Sequence, residues 1–169
     1  FSTTPAIGRT LNLSREHVID QFGNRLDFSR AAVGERIVII GFTWGGCRSV
    51  CPMTDRIMAR TQHQILRQKK PYRLITLTLD PLGDTPATMR RRAKEMGAGP
   101  QWLWLGGDYR NVLAVLNGLE ANVDGNLDSH PPRFIAFDGK EKTFIEVPGA
   151  PSAEELIGTA DRLAKKRTK

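Results

Sequence analysis

The chain has 169 residues, 40% of them hydrophobic and 25% charged, which suits one soluble domain with a core of its own and excludes a disulfide-stapled miniprotein. No run approaches the roughly 18 apolar residues of a membrane span. The formal charge of +7 predicts acidic partners or an anionic surface. Its distribution speaks against nucleic acid, because Arg90-Arg91-Arg92 and the tail Lys165-Lys166-Arg167 with Lys169 lack interleaved aromatic residues and read as solvated charge.

Residues 1–10 are rich in Ser, Thr and Pro without periodicity and predict a loose leader; residues 11–169 predict a single domain. A chain opening Phe1-Ser2, with neither methionine nor a basic and apolar leader, is expected to have lost a signal peptide or to have its membrane anchor outside the sequence. Residues 18–22 and 25–28 flank Gly23-Asn24 and predict a hairpin with a tight turn. Residues 36–42 form a continuous Ile- and Val-rich run, the pattern of a central strand covered on both faces. From 53 to 69, Ile57, Met58, Ile65 and Leu66 recur at helical spacing before Pro71. Residues 73–79 predict a buried strand, and Thr85-Pro86 an N-cap and first helical position for a helix ending at Gly97. Residues 102–105 predict a strand, and Asp108 caps a helix to about residue 119. Residues 133–137 and 143–147 predict a hairpin turning at Asp138-Gly139, and Ser152 with Glu155 a capping box for the last helix. Strands alternating with helices, then a hairpin and a helix, predict an α/β thioredoxin-like fold: a central mixed β-sheet flanked by helices, with an N-terminal β-hairpin.

The only two cysteines, Cys47 and Cys51, lie four apart between the central strand and the first helix. Bridging so short a loop gains about 2 kcal/mol, little for a domain with a full core, so a chemical use is favoured over a structural one. A thiol at a helix N-terminus is biased toward thiolate by unpaired amides and the helix dipole, and Arg48 adds to this at Cys47. Sulfurs four apart on a helix can close a disulfide or grip a soft cation, and a thiolate pair selects Cu(I). Of three histidines, His17 and His63 read as surface residues. His130 stands in Ser129-His130-Pro131-Pro132 ahead of the strand at 133, in the loop that packs against the cysteines in a thioredoxin-like fold, and is the candidate third ligand. Pro132 occupies the place where this fold commonly carries a cis proline. Trp44 either covers the sulfurs or packs in the core, and Asp80-Pro81 reads as a turn former.

Gly41-Phe42-Thr43 before Cys47-x-x-x-Cys51-Pro52, then Thr76-Leu77-Thr78-Leu79-Asp80-Pro81 with Asp84-Thr85, and a late His130, resemble the Sco (SenC-type) family over about residues 18–166. The resemblance implies an extracytoplasmic protein, in the bacterial periplasm or mitochondrial intermembrane space. It implies copper, Cu(I) or Cu(II), bound through Cys47, Cys51 and His130. It further implies delivery to, or reduction of, the dinuclear copper site of cytochrome c oxidase, with an acidic acceptor such as subunit II, and a dithiol–disulfide cycle. The chain departs from the family at Arg48-Ser49, which replaces a proline and an acid, at the longer link Trp44-Gly45-Gly46, and at Ser129 and Pro131-Pro132 around the histidine. The Arg48 departure supports a second reading, a thiol:disulfide oxidoreductase in which Cys47 attacks a thiol–disulfide partner and Cys51 resolves. A peroxiredoxin-like peroxidase is the weakest reading, because no proline- and threonine-flanked nucleophile is present.

Overall fold

The computed structural model describes residues 9–46, 51–122 and 132–167, with the backbone alone at Cys51. Five strands form the main sheet in the order β5-β4-β3-β6-β7: β3 is Ile37–Thr43, β4 Arg73–Thr78, β5 Trp102–Leu105, β6 Arg133–Asp138 and β7 Thr143–Pro148. The first three run parallel, β6 is antiparallel to β3, and β7 returns antiparallel to β6. A separate antiparallel hairpin pairs β1, His17–Ile19, with β2, Arg25–Asp27. This is the expected thioredoxin-like arrangement of a mixed sheet, flanking helices and an N-terminal hairpin.

The parallel strands are hydrophobic on both faces because both faces are covered. Val38, Ile40, Ile75 and Leu77 join the hairpin residue Val18 and helix α3 (Tyr109–Gly118) in one core. Ile39, Leu74, Trp102 and Trp104 point the other way, into a core with helices α1 (Cys51–Arg67), α2 (Pro86–Glu95) and α4 (Ala153–Arg167). The caps predicted from sequence are in place: Thr85 Oγ1 accepts from Thr88 N at 3.2 Å, Asp108 Oδ1 from Arg110 N at 3.0 Å, and Ser152 Oγ from Glu155 N at 3.1 Å.

Three local features differ from expectation. The hairpin turns through a five-residue loop, because the Asp20 carboxylate collects the amides of Phe22 and Asn24, both at 2.9 Å. Residues Phe28–Val33 coil into a π-helical turn capped by Asp27, and Gly34 leaves it at φ +61°. In the other hairpin the left-handed residue is Lys142, at φ +61°, and Gly139 serves close approach instead: a Cβ there would lie 2.0 Å from the Gly34 carbonyl oxygen. Residues 1–8 of the expected leader lie outside the described residues; Thr10 bridges Thr143 and Leu11 N donates to Lys142 O at 3.0 Å.

The cations are not all solvated. Arg92 is largely buried on α2, where its Nη2 donates to Asp55 Oδ2 at 2.9 Å, and Arg167 pairs with Asp138, whose side chain is 1% exposed. Both depart from the solvated charge that these runs predict; their helical register turns them inward.

Candidate functional site

The site forms where β3 ends. Open α/β sheets bind ligands at the carboxyl ends of their strands, and the fully buried β3 delivers the chain there. Trp44-Gly45-Gly46 then forms a tight link. Gly45 N donates to both carboxylate oxygens of Asp84, at 3.0 and 3.2 Å, and a Cβ on Gly45 would lie 2.4 Å from Asp84 Oδ1. Trp44 lies over Gly46, where a Cβ would come within 2.8 Å of the indole, and it packs against the α3-side core. Packing is thus a role the described residues show for it.

Asp84 is 1% exposed and also accepts from the Thr78 hydroxyl at 2.5 Å. It is held in place by a turn in which Asp84 N donates to Asp80 O at 2.8 Å and Gly83 N to Asp80 Oδ1 at 3.1 Å, so Asp80 acts as the turn former read from the sequence. The pattern residue Thr78 thus connects the end of β4 to the link before Cys47.

Beneath this link lies a buried polar cluster that sequence reasoning missed. Asp55, one helical turn after Cys51 on α1, accepts from Arg92 Nη2 at 2.9 Å; the same nitrogen donates to Thr43 Oγ1 at 2.6 Å, and the guanidinium lies 5.3 Å from the Trp104 ring centre. Asp55 Oδ1, Arg92 Nη1 and Trp104 Nε1 are buried with no hydrogen-bond partner. Burial pushes the Asp55 carboxyl above its ordinary value against the pull of Arg92 and Thr43, and Asp84 adds to the rise. Burial likewise raises Asp84, against the Thr78 hydroxyl, Arg92 and the Gly45 amide. A signal existed: Thr54, Asp55, Thr61 and Gln62 fall in the same inward stripe as Met58 and Ile65.

Of the predicted site residues, Cys51 has its backbone in α1, while its side chain, Cys47 and His130 lie outside the described residues. His17 and His63 are exposed, as expected. The sheet does fix where the chain after His130 rejoins the described fold. β6 pairs antiparallel with β3, Gly41 opposite Phe134, so β6 begins beside the end of β3. Arg133 packs its guanidinium 5.7 Å from the Phe42 ring centre, and Pro132 O accepts from Gly149 N at 2.9 Å. There is no cis peptide among the described residues; the bond preceding Pro132 starts outside them. Among the described residues no three His, Cys, Asp or Glu side chains cluster to hold a metal ion, and no helix is long and apolar enough to cross a membrane.

Comparison with known proteins agrees with this geometry. The sequence model of the SCO1/SenC family matches residues 15–163. No curated protein matches the chain in sequence. Among solved structures, a SCO1/SenC family lipoprotein from Bacillus anthracis superposes with a TM-score of 0.78 at 19% identity, covering 96% of this chain and 98% of that one. Yeast Sco1 with copper bound gives 0.70 at 18%, covering 96% of each chain. BsSco, a member of the Sco family of cytochrome c oxidase assembly proteins with an identified disulfide switch, gives 0.73 at 19%, covering 92% of this chain and 95% of that one.

Proposed function

Because the chain belongs to the SCO1/SenC family, we propose that it is a copper-binding factor of cytochrome c oxidase assembly, acting through Cys47, Cys51 and His130. The observation that carries this reading is the antiparallel pairing of β6 with β3. It brings the strand that follows His130 to the same end of the sheet as the strand that precedes Cys47. Two thiolates and an imidazole make a soft donor set suited to Cu(I). The copper-bound yeast relative and the oxidase-assembly relative support the same role.

The chain's own part is to hold that donor set ready. Asp84 fixes the backbone ahead of Cys47 through Gly45, and the backbone of Cys51 belongs to α1. Copper is the cargo, delivered to the dinuclear copper site of the oxidase or exchanged during its reduction, with subunit II as the acidic acceptor. Oxidation of the dithiol to the disulfide releases two electrons and two protons to an oxidised partner. The lipoprotein relative supports an extracytoplasmic, membrane-associated location.

Anaerobic Cu(I) titration of the reduced chain against a competing chelator tests the reading. One tightly bound Cu(I) is expected, weakened in His130→Ala and abolished when both cysteines become serine. Unchanged affinity in His130→Ala removes the histidine from the ligand set. Absence of Cu(I) binding, with retained reduction of disulfide substrates, would instead establish the thiol:disulfide oxidoreductase.

A further inference from the structure

At the end of the sheet opposite the cysteines, where β3 begins and the β6–β7 hairpin turns, a cavity of about 430 Å³ opens to the surface. Its floor is apolar, made by the buried side chains Leu11, Val33 and Phe137. Its rim carries three cations, Arg15, Arg30 and Lys142, against a single carboxylate, Glu35. Arg15 meets Asp27 only at 3.7 Å, and Arg30 and Lys142 have no ion-pair partner among the described residues. Like charges crowd the same end of the sheet: besides burial, the neighbouring Arg36 holds the Arg73 guanidinium below its ordinary value. The floor is preformed, because the Gly139 backbone lies directly on Gly34 with no room for a side chain.

We propose that this cavity binds the headgroup of an anionic phospholipid, so that the end of the domain remote from Cys47 rests on a membrane surface. The three cations fit a phosphodiester, and the apolar floor fits the glycerol carbons beside it; a free anion would use the first feature and leave the second idle. The volume is within the range of small-ligand sites. β3 is seven residues long at about 3.3 Å per residue, so the cysteine end stands roughly 20 Å or more from the lipid and stays open to a protein partner.

The test is flotation of the reduced, copper-free chain with vesicles of phosphatidylcholine alone or mixed equally with phosphatidylglycerol. Binding to the mixed vesicles only, weakening with salt, is expected. Each cation near an anionic surface contributes about five-fold, so Arg15→Gln with Arg30→Gln and Lys142→Gln should lose about a hundredfold in partition. A control with the same charge loss elsewhere, Arg60→Gln with Arg91→Gln and Lys94→Gln, should keep most of the binding, and circular dichroism verifies that both fold. Equal losses in the two triples would overturn the site in favour of diffuse charge. Equal binding to neutral vesicles, or binding of glycerol phosphate without vesicle binding, would also overturn it. Copper affinity is measured separately, so failure here leaves the assembly role untouched.

Discussion

Replacing Arg92 by methionine removes the cation from the buried cluster of Asp55, Thr43 and Trp104 while keeping most of the side chain's length. In the wild type its side chain is 15% exposed and that of Asp55 9% exposed, and they meet at 2.9 Å. The variant leaves the Asp55 carboxylate buried with the Asp84 carboxylate as its charged neighbour, a situation that costs about 3–5 kcal/mol. Against a typical stability of about 5–15 kcal/mol that is a large fraction. At about 2–4 °C per kcal/mol for a chain of this size, Tm should fall by about 6–20 °C at neutral pH. The pH dependence has a definite sign. With Arg92 gone, burial and Asp84 both raise the folded-state pKa above the ordinary 3.8, so the penalty is absent below that value and grows as pH rises through the folded-state pKa. The gap between wild type and variant should therefore narrow on acidification. Adding Asp55→Leu removes the stranded charge and should restore most of the loss, because buried ion pairs can be replaced by apolar pairs at little cost. Thermal unfolding followed by circular dichroism across the pH range measures all three proteins. A Tm within about 2 °C of wild type in Arg92→Met, or a double variant no more stable than the single, would refute the reasoning.

The link before Cys47 gives a second expectation: Gly45→Ala places a Cβ 2.4 Å from Asp84 Oδ1 and should cost about 1–3 kcal/mol in urea unfolding, with weaker Cu(I) binding in the competition assay. A third concerns the far end of the sheet. Burial alone would raise the Asp138 carboxyl, but Arg167 and the amides of Glu141 and Lys140 hold it below 3.8, so its contribution is present above that value and lost as pH falls through the depressed one. Arg167→Met should cost about 2–3 kcal/mol at neutral pH, read by thermal unfolding, and the difference from wild type should shrink in acid.

The elements that were legible in the sequence are those whose periodicity is set by the core: the two-faced apolar run of β3, and the helices whose caps are Thr85, Asp108 and Ser152. The elements that were not legible depend on contacts between distant residues. Phe28 and Ala32 are buried at the α-helical spacing of four, but Val33, five beyond Phe28, is buried too and fits the wider π-helical turn that Asp27 and Gly34 close. Arg92 sits in a run of three arginines that reads as a charged face, yet it shares the inward side of α2 with Met89 and Ala93. Leu66 fits the apolar stripe of α1 by spacing but is 54% exposed, because it lies near the helix end, beyond the last residue that packs inward, Ile65. Asp84 is part of the sequence pattern, but its role as anchor of Gly45 becomes visible only once residues 39 apart are brought together.

The small β1–β2 hairpin affects how this domain can be approached. Gln21, 3% exposed, donates from Nε2 to Trp102 O at 2.7 Å and accepts at Oε1 from Trp104 N at 3.0 Å. A single side-chain amide thus imitates the donor and acceptor of a neighbouring strand, and Ile19 adds a two-way backbone bridge to Gly106 just beyond. The border of the sheet at β5 is therefore closed to an extended peptide seeking a template. A partner meeting the molecule on that flank has no backbone ladder to join, which directs recognition there to side chains and loops and protects that edge from strand-to-strand polymerisation.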